Sequence, residues 1–129
     1  MLKAVIIDAN AVSRGLLNSV LTEGGHSVVG QTHAPSQGLA LLHKFRPHVV
    51  CVALEQMEDP FDILAQIQEQ LPKTLVFMVS GAIDQATLEA SVARGVHGFI
   101  VKPFKADAVL KTIKNGVLAM IRRQQDAGG

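Results

Sequence analysis

The sequence predicts an α/β domain built on a parallel sheet with helices on both faces. Three observations lead there. Apolar, strand-like runs alternate five times with segments of helical periodicity, which is the pattern of successive βα units. The third run, Val49 to Leu54, is apolar throughout, as a central strand buried on both faces requires. Finally, four of the runs end on residues of unlike chemistry: Asp8, Ala53, Ser80 and Lys102-Pro103. Ligands of a parallel α/β sheet bind outside the carboxyl ends of its strands, so these four residues are expected to share one pocket.

The elements follow in order. Ala4-Val5-Ile6-Ile7 reads as a buried strand. Val12, Leu16, Leu17, Val20 and Leu21 recur at helical spacing, and Gly24-Gly25 stops that helix. Ser27 to Gln31 is a short second strand. Pro35 suits the first turn of a helix carrying Leu39, Leu42 and Phe45. After the third strand, Asp59-Pro60 offers a cap and a first helical residue, with Leu64, Ile67 and Leu71 facing inward. Thr74 to Val79 is the fourth strand. Asp84 is a candidate cap for the helix holding Leu88 and Val92, which ends before Gly95. Gly98 to Val101 is the fifth strand. The last helix carries Val109, Leu110, Ile113, Val117, Met120 and Ile121 as one stripe, and Gly116 weakens it by about 1 kcal/mol relative to alanine. Residues 1–124 form one domain, and 125–129 read as an unstructured tail or linker stub.

Bulk properties narrow the class. The chain has 129 residues, 48% hydrophobic and 18% charged, which suits one folded domain with a single core. A net charge of +1 gives no general electrostatic grip on nucleic acid or membrane. The single cysteine, Cys51, has no internal disulfide partner and favours a reducing compartment. No apolar run approaches the roughly 20 residues a membrane span needs, and no signal peptide is visible. A cytoplasmic module is the expectation.

Asp8, Ser80-Gly81-Ala82 and Gly98-Phe99-Ile100-Val101-Lys102-Pro103-Phe104, set on five βα units, converge on one family. From Leu2 to about Arg122 the chain resembles the CheY-like receiver domain of two-component response regulators. The most specific element is the run ending in Lys102-Pro103-Phe104, preceded by Ala93-Arg94-Gly95-Val96-His97. The resemblance implies a flavodoxin-like (βα)5 three-layer sandwich with sheet order 2-1-3-4-5. In the family, an aspartate ending strand three accepts a phosphoryl group from a histidine kinase, and two acids after strand one help hold Mg²⁺. A Ser or Thr after strand four and a Lys after strand five bind the phosphoryl oxygens, and an aromatic residue before that Lys reports the state. Ser80, Lys102 and Phe99 match the last three. The acidic pair is half present, as Asp8 followed by Ala9, and the acceptor position falls on Ala53.

Two departures at one site decide the expected chemistry. An acyl phosphate needs a carboxylate nucleophile, and an alanine methyl offers none. Three carboxylates against one lysine would sum to about −2, whereas Asp8 against Lys102 sums to about 0, which leaves little attraction for Mg²⁺. Asp8, Ala9, Ala53, Ser80 and Lys102 therefore read as a degenerate phosphoryl pocket without metal or cofactor. A buried ammonium needs a partner, so a direct Asp8–Lys102 contact, helped by Ser80, is expected.

The resulting expectation is a non-enzymatic, phosphorylation-independent receiver that signals through protein contacts. Its partners would be a sensor kinase, an output domain or other receivers, with a homodimer through the last helix and strand five also open. Val96, Phe99, Ile100 and Leu118 are the candidate contacts. Two alternatives stand beside it: a phosphoacceptor receiver whose aspartate was replaced at position 53, which Ala9 argues against, and a flavodoxin-like binder of a nucleotide or flavin. Asp8-Ala9-Asn10-Ala11-Val12-Ser13 makes a poor phosphate loop for the latter. Plainer readings apply elsewhere. Glu55, Glu58 and Asp59 follow strand three closely enough for one to substitute as acceptor or metal ligand, but a solvated loop with Asp59 as a cap is the plainer reading, and Cys51 is inert packing. His26, His33, His43, His48 and His97 take surface or turn roles. Lys111, Lys114, Arg122 and Arg123 form a solvated helix face.

Overall fold

The computed structural model describes residues 2–53, 55, 60–82 and 84–128. Five βα units follow one another: β1 (Lys3–Ile7), α1 (Ala11–Glu23), β2 (Ser27–Thr32), α2 (Pro35–Phe45), β3 (Val49–Ala53), α3 (Pro60–Gln70), β4 (Leu75–Ser80), α4 (Gln85–Ala93), β5 (Val96–Val101) and α5 (Ala106–Gly128). All strands pair in parallel, in the order β2-β1-β3-β4-β5. The fold is the flavodoxin-like α/β sandwich that the sequence predicts.

Every residue of β3 and β4 is buried, which explains their unbroken apolar runs. Alternation of side chains across the strands divides the core in two. Ala4, Ile6, Cys51 and Phe77 face Leu17 and Leu21 of α1 and Val109 and Ile113 of α5. Val5, Ile7, Val52 and Met78 face Leu42 of α2 and Ile63, Leu64 and Ile67 of α3. Burial pushes the Cys51 thiol up to about 12, so it stays protonated and unreactive.

Helix ends follow the local chemistry. Asn10 caps α1 by accepting the Ser13 N–H at 3.0 Å, and Asp84 caps α4 by accepting the Thr87 N–H at 2.7 Å. Asp59, read as the cap of α3, lies outside the described residues. The Gly24 N–H bonds back to the Val20 carbonyl at 3.0 Å and closes α1.

Four apolar assignments are corrected by burial. Val12 and Leu16 are exposed on α1, Val92 on α4 and Ile121 on α5. A helical stripe is about 100° wide; once Leu17 and Leu21 centre it on the sheet, Val12 and Leu16 fall to one side. In α4 the only buried residue is Ser91, whose hydroxyl donates to the Thr87 carbonyl at 2.7 Å and lies 3.2 Å from Met78 Sδ. Helix α5 also continues through residues 125–128, expected as a tail. Gln124, Gln125 and Ala127 are sound helix formers, and no proline or cap interrupts them.

Gly116 is more than a weak point in α5. A Cβ there would lie 2.6 Å from Phe77 Cζ, and one at Gly98 would lie 3.0 Å from the same ring. The two glycines let α5 and β5 close over the largest buried side chain of the core.

At the amino end of the strands, three histidines accept backbone N–H groups of β1, of β4 and of the residue before β1. Nδ1 of His48 accepts from Lys3 N at 2.9 Å, Nδ1 of His97 from Val76 N at 3.0 Å, and Nδ1 of His26 from Leu2 N at 3.4 Å. His48 is exposed at the turn before β3 and His26 lies in the turn before β2, as expected; beyond that, each of the three caps a backbone N–H. Burial and the Arg123 charge push the His97 ring below its ordinary value, and burial and the chain's amino group do the same for His26.

Two outcomes follow. Gly116→Ala gains helix propensity yet lowers stability by about 1–3 kcal/mol through overpacking on Phe77, measured by urea denaturation. The pH dependence has a fixed sign, because a histidine whose folded pKa is depressed binds its proton more readily in the unfolded chain. Stability is therefore complete above the ordinary value of 6.5 and falls as pH drops through the lower folded values. His97→Asn, which keeps an acceptor but does not titrate, shallows that fall in denaturation midpoints taken above and below pH 6.5.

Candidate functional site

The register of the sheet brings the four strand ends together. Ile7 pairs with Val52, Ala53 with Val79 and Ser80 with Val101. Asp8, Ala53, Ser80 and Lys102 therefore lie along the carboxyl edge of four adjacent strands. The reversal of strand order between β1 and β3 opens the crevice where α/β folds hold ligands.

Asp8 is 3% exposed, and its surroundings account for both oxygens. Oδ1 accepts the Asn10 N–H at 2.9 Å, which fixes the turn into α1. The Asp8 carbonyl accepts from the Arg14 guanidinium at 2.8 Å. Oδ2 has no hydrogen-bond donor among the described residues and faces Lys102 Nζ at 3.5 Å. The lysine is itself held by its backbone, whose N–H donates to the Ser80 carbonyl at 3.0 Å. The Lys102–Pro103 peptide is cis.

Glu55 also enters this site. Its Oε1 accepts the Gly81 N–H at 2.9 Å and stands 3.9 Å from Lys102 Nζ. This corrects the reading of Glu55 as a purely solvated residue and of Asp8 as the lone acid of the pocket. Its place just after β3 marks it as near the site, but not its partners, because a loop side chain crosses from the end of β3 to the β4–α4 turn only through the tertiary fold. Glu58 and Asp59 lie outside the described residues.

Ser80 does not assist the ion pair. Its hydroxyl donates to the Ala82 carbonyl at 3.0 Å and accepts the Ala82 N–H at 3.2 Å, so a local turn satisfies it. Ala53 is buried in the core and Ala9 is exposed. The ammonium of Lys102 fills the point on which both carboxylates converge, and no three His, Cys, Asp or Glu side chains gather among the described residues.

Of the expected contact residues, Val96 and Ile100 are buried and unavailable. Strand β5 lies at the sheet edge, but α4 and α5 flank it and the two core layers take these side chains. Phe99 is half-buried, and with Pro103, Ala108 and Thr112 it lines a cavity of about 450 Å³ between β5 and α5. Leu118 is 39% exposed. Val101, which the sequence reading passed over, is 59% exposed on the lining of the same cavity as Phe99.

Residues 4–114 match the model of the response regulator receiver domain. The chain belongs to that family. Among curated relatives, chemotaxis protein CheY of Listeria monocytogenes is 28% identical over 115 residues, covering 88% of this chain and 97% of that protein. Nitrogen assimilation regulatory protein NtrX of Azorhizobium caulinodans is 29% identical over 82% of this chain but only 24% of its own length. Two solved structures share the receiver fold. NtrX from Brucella abortus superposes with a TM-score of 0.87 at 23% identity, over 98% of this chain and 29% of that one. Chemotaxis protein CheY4 of Vibrio cholerae gives 0.82 at 22% identity, over 89% and 98%. This receiver is thus a response-regulator module of signal transduction, and no described helix is long and apolar enough to cross a membrane.

A double-mutant cycle separates the Asp8 and Glu55 ion pairs of Lys102. Asp8→Asn with Lys102→Met gives a coupling of about 1 kcal/mol or more, because both groups are largely out of water. Glu55→Gln with Lys102→Met gives about 0.5 kcal/mol or less, since Glu55 is 48% exposed. Urea denaturation of the four species in each cycle measures both.

Proposed function

We propose that this receiver is atypical: it transmits its signal through protein–protein contacts, without aspartyl phosphorylation, bound Mg²⁺ or an enzymatic step of its own. One observation carries the reading. At the end of β3, beside Asp8 and Lys102, stands the methyl group of Ala53. Phosphoryl transfer to a receiver makes an acyl phosphate, and a methyl group has no lone pair with which to attack. The Lys102 ammonium supports the same reading, because it already neutralises Asp8 and approaches Glu55.

The contacts that remain for signalling lie on β5 and α5. Half-buried Phe99, exposed Val101 and the cavity between β5 and α5 offer apolar area there, with Lys105 on its lining, and Leu118 is exposed further along α5. An apolar centre with a charged rim suits a protein partner: a sensor kinase, an output domain, another receiver or a second copy of this chain.

The test is incubation with acetyl phosphate and Mg²⁺, read by intact mass. The wild-type protein stays free of phosphoryl adduct, and the variant carrying Ala9→Asp with Ala53→Asp acquires one. An adduct on the wild-type chain would overturn the proposal.

A further inference from the structure

A row of hydrogen bonds crosses the amino end of the sheet from edge to edge. Beside β2, the Ser27 N–H donates to the Leu2 carbonyl at 2.8 Å, and Nδ1 of His26 accepts the Leu2 N–H at 3.4 Å. Beside β3, the His48 N–H donates to the Lys3 carbonyl at 3.0 Å, while its ring Nδ1 accepts the Lys3 N–H at 2.9 Å. The His48 carbonyl accepts the Leu75 N–H at 2.9 Å, and Nδ1 of His97 accepts the next one, from Val76, at 3.0 Å. The row joins the entries of β2, β1, β3, β4 and β5 in their spatial order, and three of its links are imidazole acceptors.

An imidazole accepts through Nδ1 only while it is neutral and carries its proton on Nε2; an imidazolium donates at both nitrogens. One added proton therefore removes the acceptor and sets one N–H against another. That loss follows from protonation itself, whatever the charges nearby. The neighbours include Arg46 and Lys73 on the cavity lining beside His48, and Arg94 and Arg123 on the lining beside His97. The chain's amino group acts on His26, which follows Glu23 at the end of α1. Burial first, and then these charges, holds His26 and His97 below the ordinary imidazole value. Each of those two rings thus takes its proton more readily once its link has opened.

We propose that His26, His48 and His97 form a proton-released clasp: acidification frees the first residues of β1 and β4 from their neighbours while the middle of the sheet stays folded. The strand middles hold no titrating link, since Val5, Cys51 and Phe77 are buried among apolar side chains. Acid then remodels the end of the domain where the first residues of the chain and the turns before β3, β4 and β5 meet. The Asp8–Lys102 pocket lies at the other end of the strands, so the clasp does not depend on how that pocket is read.

The experiment follows the full, isotope-labelled chain by NMR from about pH 8 to about pH 4.5, which spans the ordinary range of histidine and lower values. Long-range proton–nitrogen spectra report the tautomer of each ring. Hydrogen exchange, corrected for the intrinsic pH dependence of the rate, reports the amides. At the upper end the three rings carry their proton on Nε2. As His48 and His97 become imidazolium, protection of the Lys3 and Val76 amides falls by about fivefold or more, the weight of one hydrogen bond. The amides of Val5 and Met78, further along the same strands, keep theirs. His48→Asn keeps an acceptor that does not titrate and removes the pH response at Lys3. His97→Asn does so at Val76, so a variant that does not fold leaves the other as the test. His43→Asn, whose ring bonds Gln70 outside the row, leaves both responses as in wild type. The proposal fails if the rings carry their proton on Nδ1 at neutral pH, or if Lys3 and Val76 stay protected after the rings are charged. It also fails if Val5 and Met78 open together with them, or if the folded variants retain the wild-type response.

Discussion

The Lys102 ammonium is the group on which the carboxyl end of this molecule depends. It stands 3.5 Å from a buried Asp8 oxygen that has no other donor among the described residues, and 3.9 Å from Glu55. Asp8 in turn organises the β1–α1 turn through Asn10, and Glu55 reaches the β4–α4 turn through Gly81. Three loops are thus referred to one cation. The gross attraction of such a pair is about 4 kcal/mol at 4 Å in an effective dielectric of 20, but desolvation costs several kcal/mol per ion. The network therefore fixes geometry more than it adds stability. Removing its lysine would leave Asp8 charged, buried and uncompensated.

Much of this was legible in the sequence. The five apolar runs, the fully apolar β3 and the residues ending each strand are one-dimensional signals, and parallel topology turns them into one site. The Asp8–Lys102 contact could be reasoned out because a largely buried lysine must find an acid. Glu55 could not, since its approach depends on how the chain crosses from β3 to the β4–α4 turn. Ser80 was misjudged for a related reason: a hydroxyl can be satisfied by its own turn, and Ala82 does so here.

Helix faces were legible only to within their width. Periodicity identifies a stripe but not its centre, so Val12, Leu16 and Ile121 were placed inside and emerged exposed. The reverse error struck β5. Its edge position suggested accessible side chains, yet Val96 and Ile100 point into the two core layers, leaving Phe99 and Val101 nearer the surface. The histidines were unreadable as strand caps because no local motif pairs an imidazole with a backbone N–H 21 to 45 residues away.

The central claim is that this carboxyl-end pocket is already filled by its own side chains and takes no phosphoryl group. An amide NMR titration with Mg²⁺, and then with Mg²⁺ plus beryllofluoride as a mimic of an aspartyl phosphate, tests it most directly. The account predicts no saturable shifts at Asp8, Ser80, Gly81 or Lys102. Saturable shifts there, spreading to Phe99 and α5, would contradict it and would mean that an acid such as Glu55 has taken over the acceptor's role.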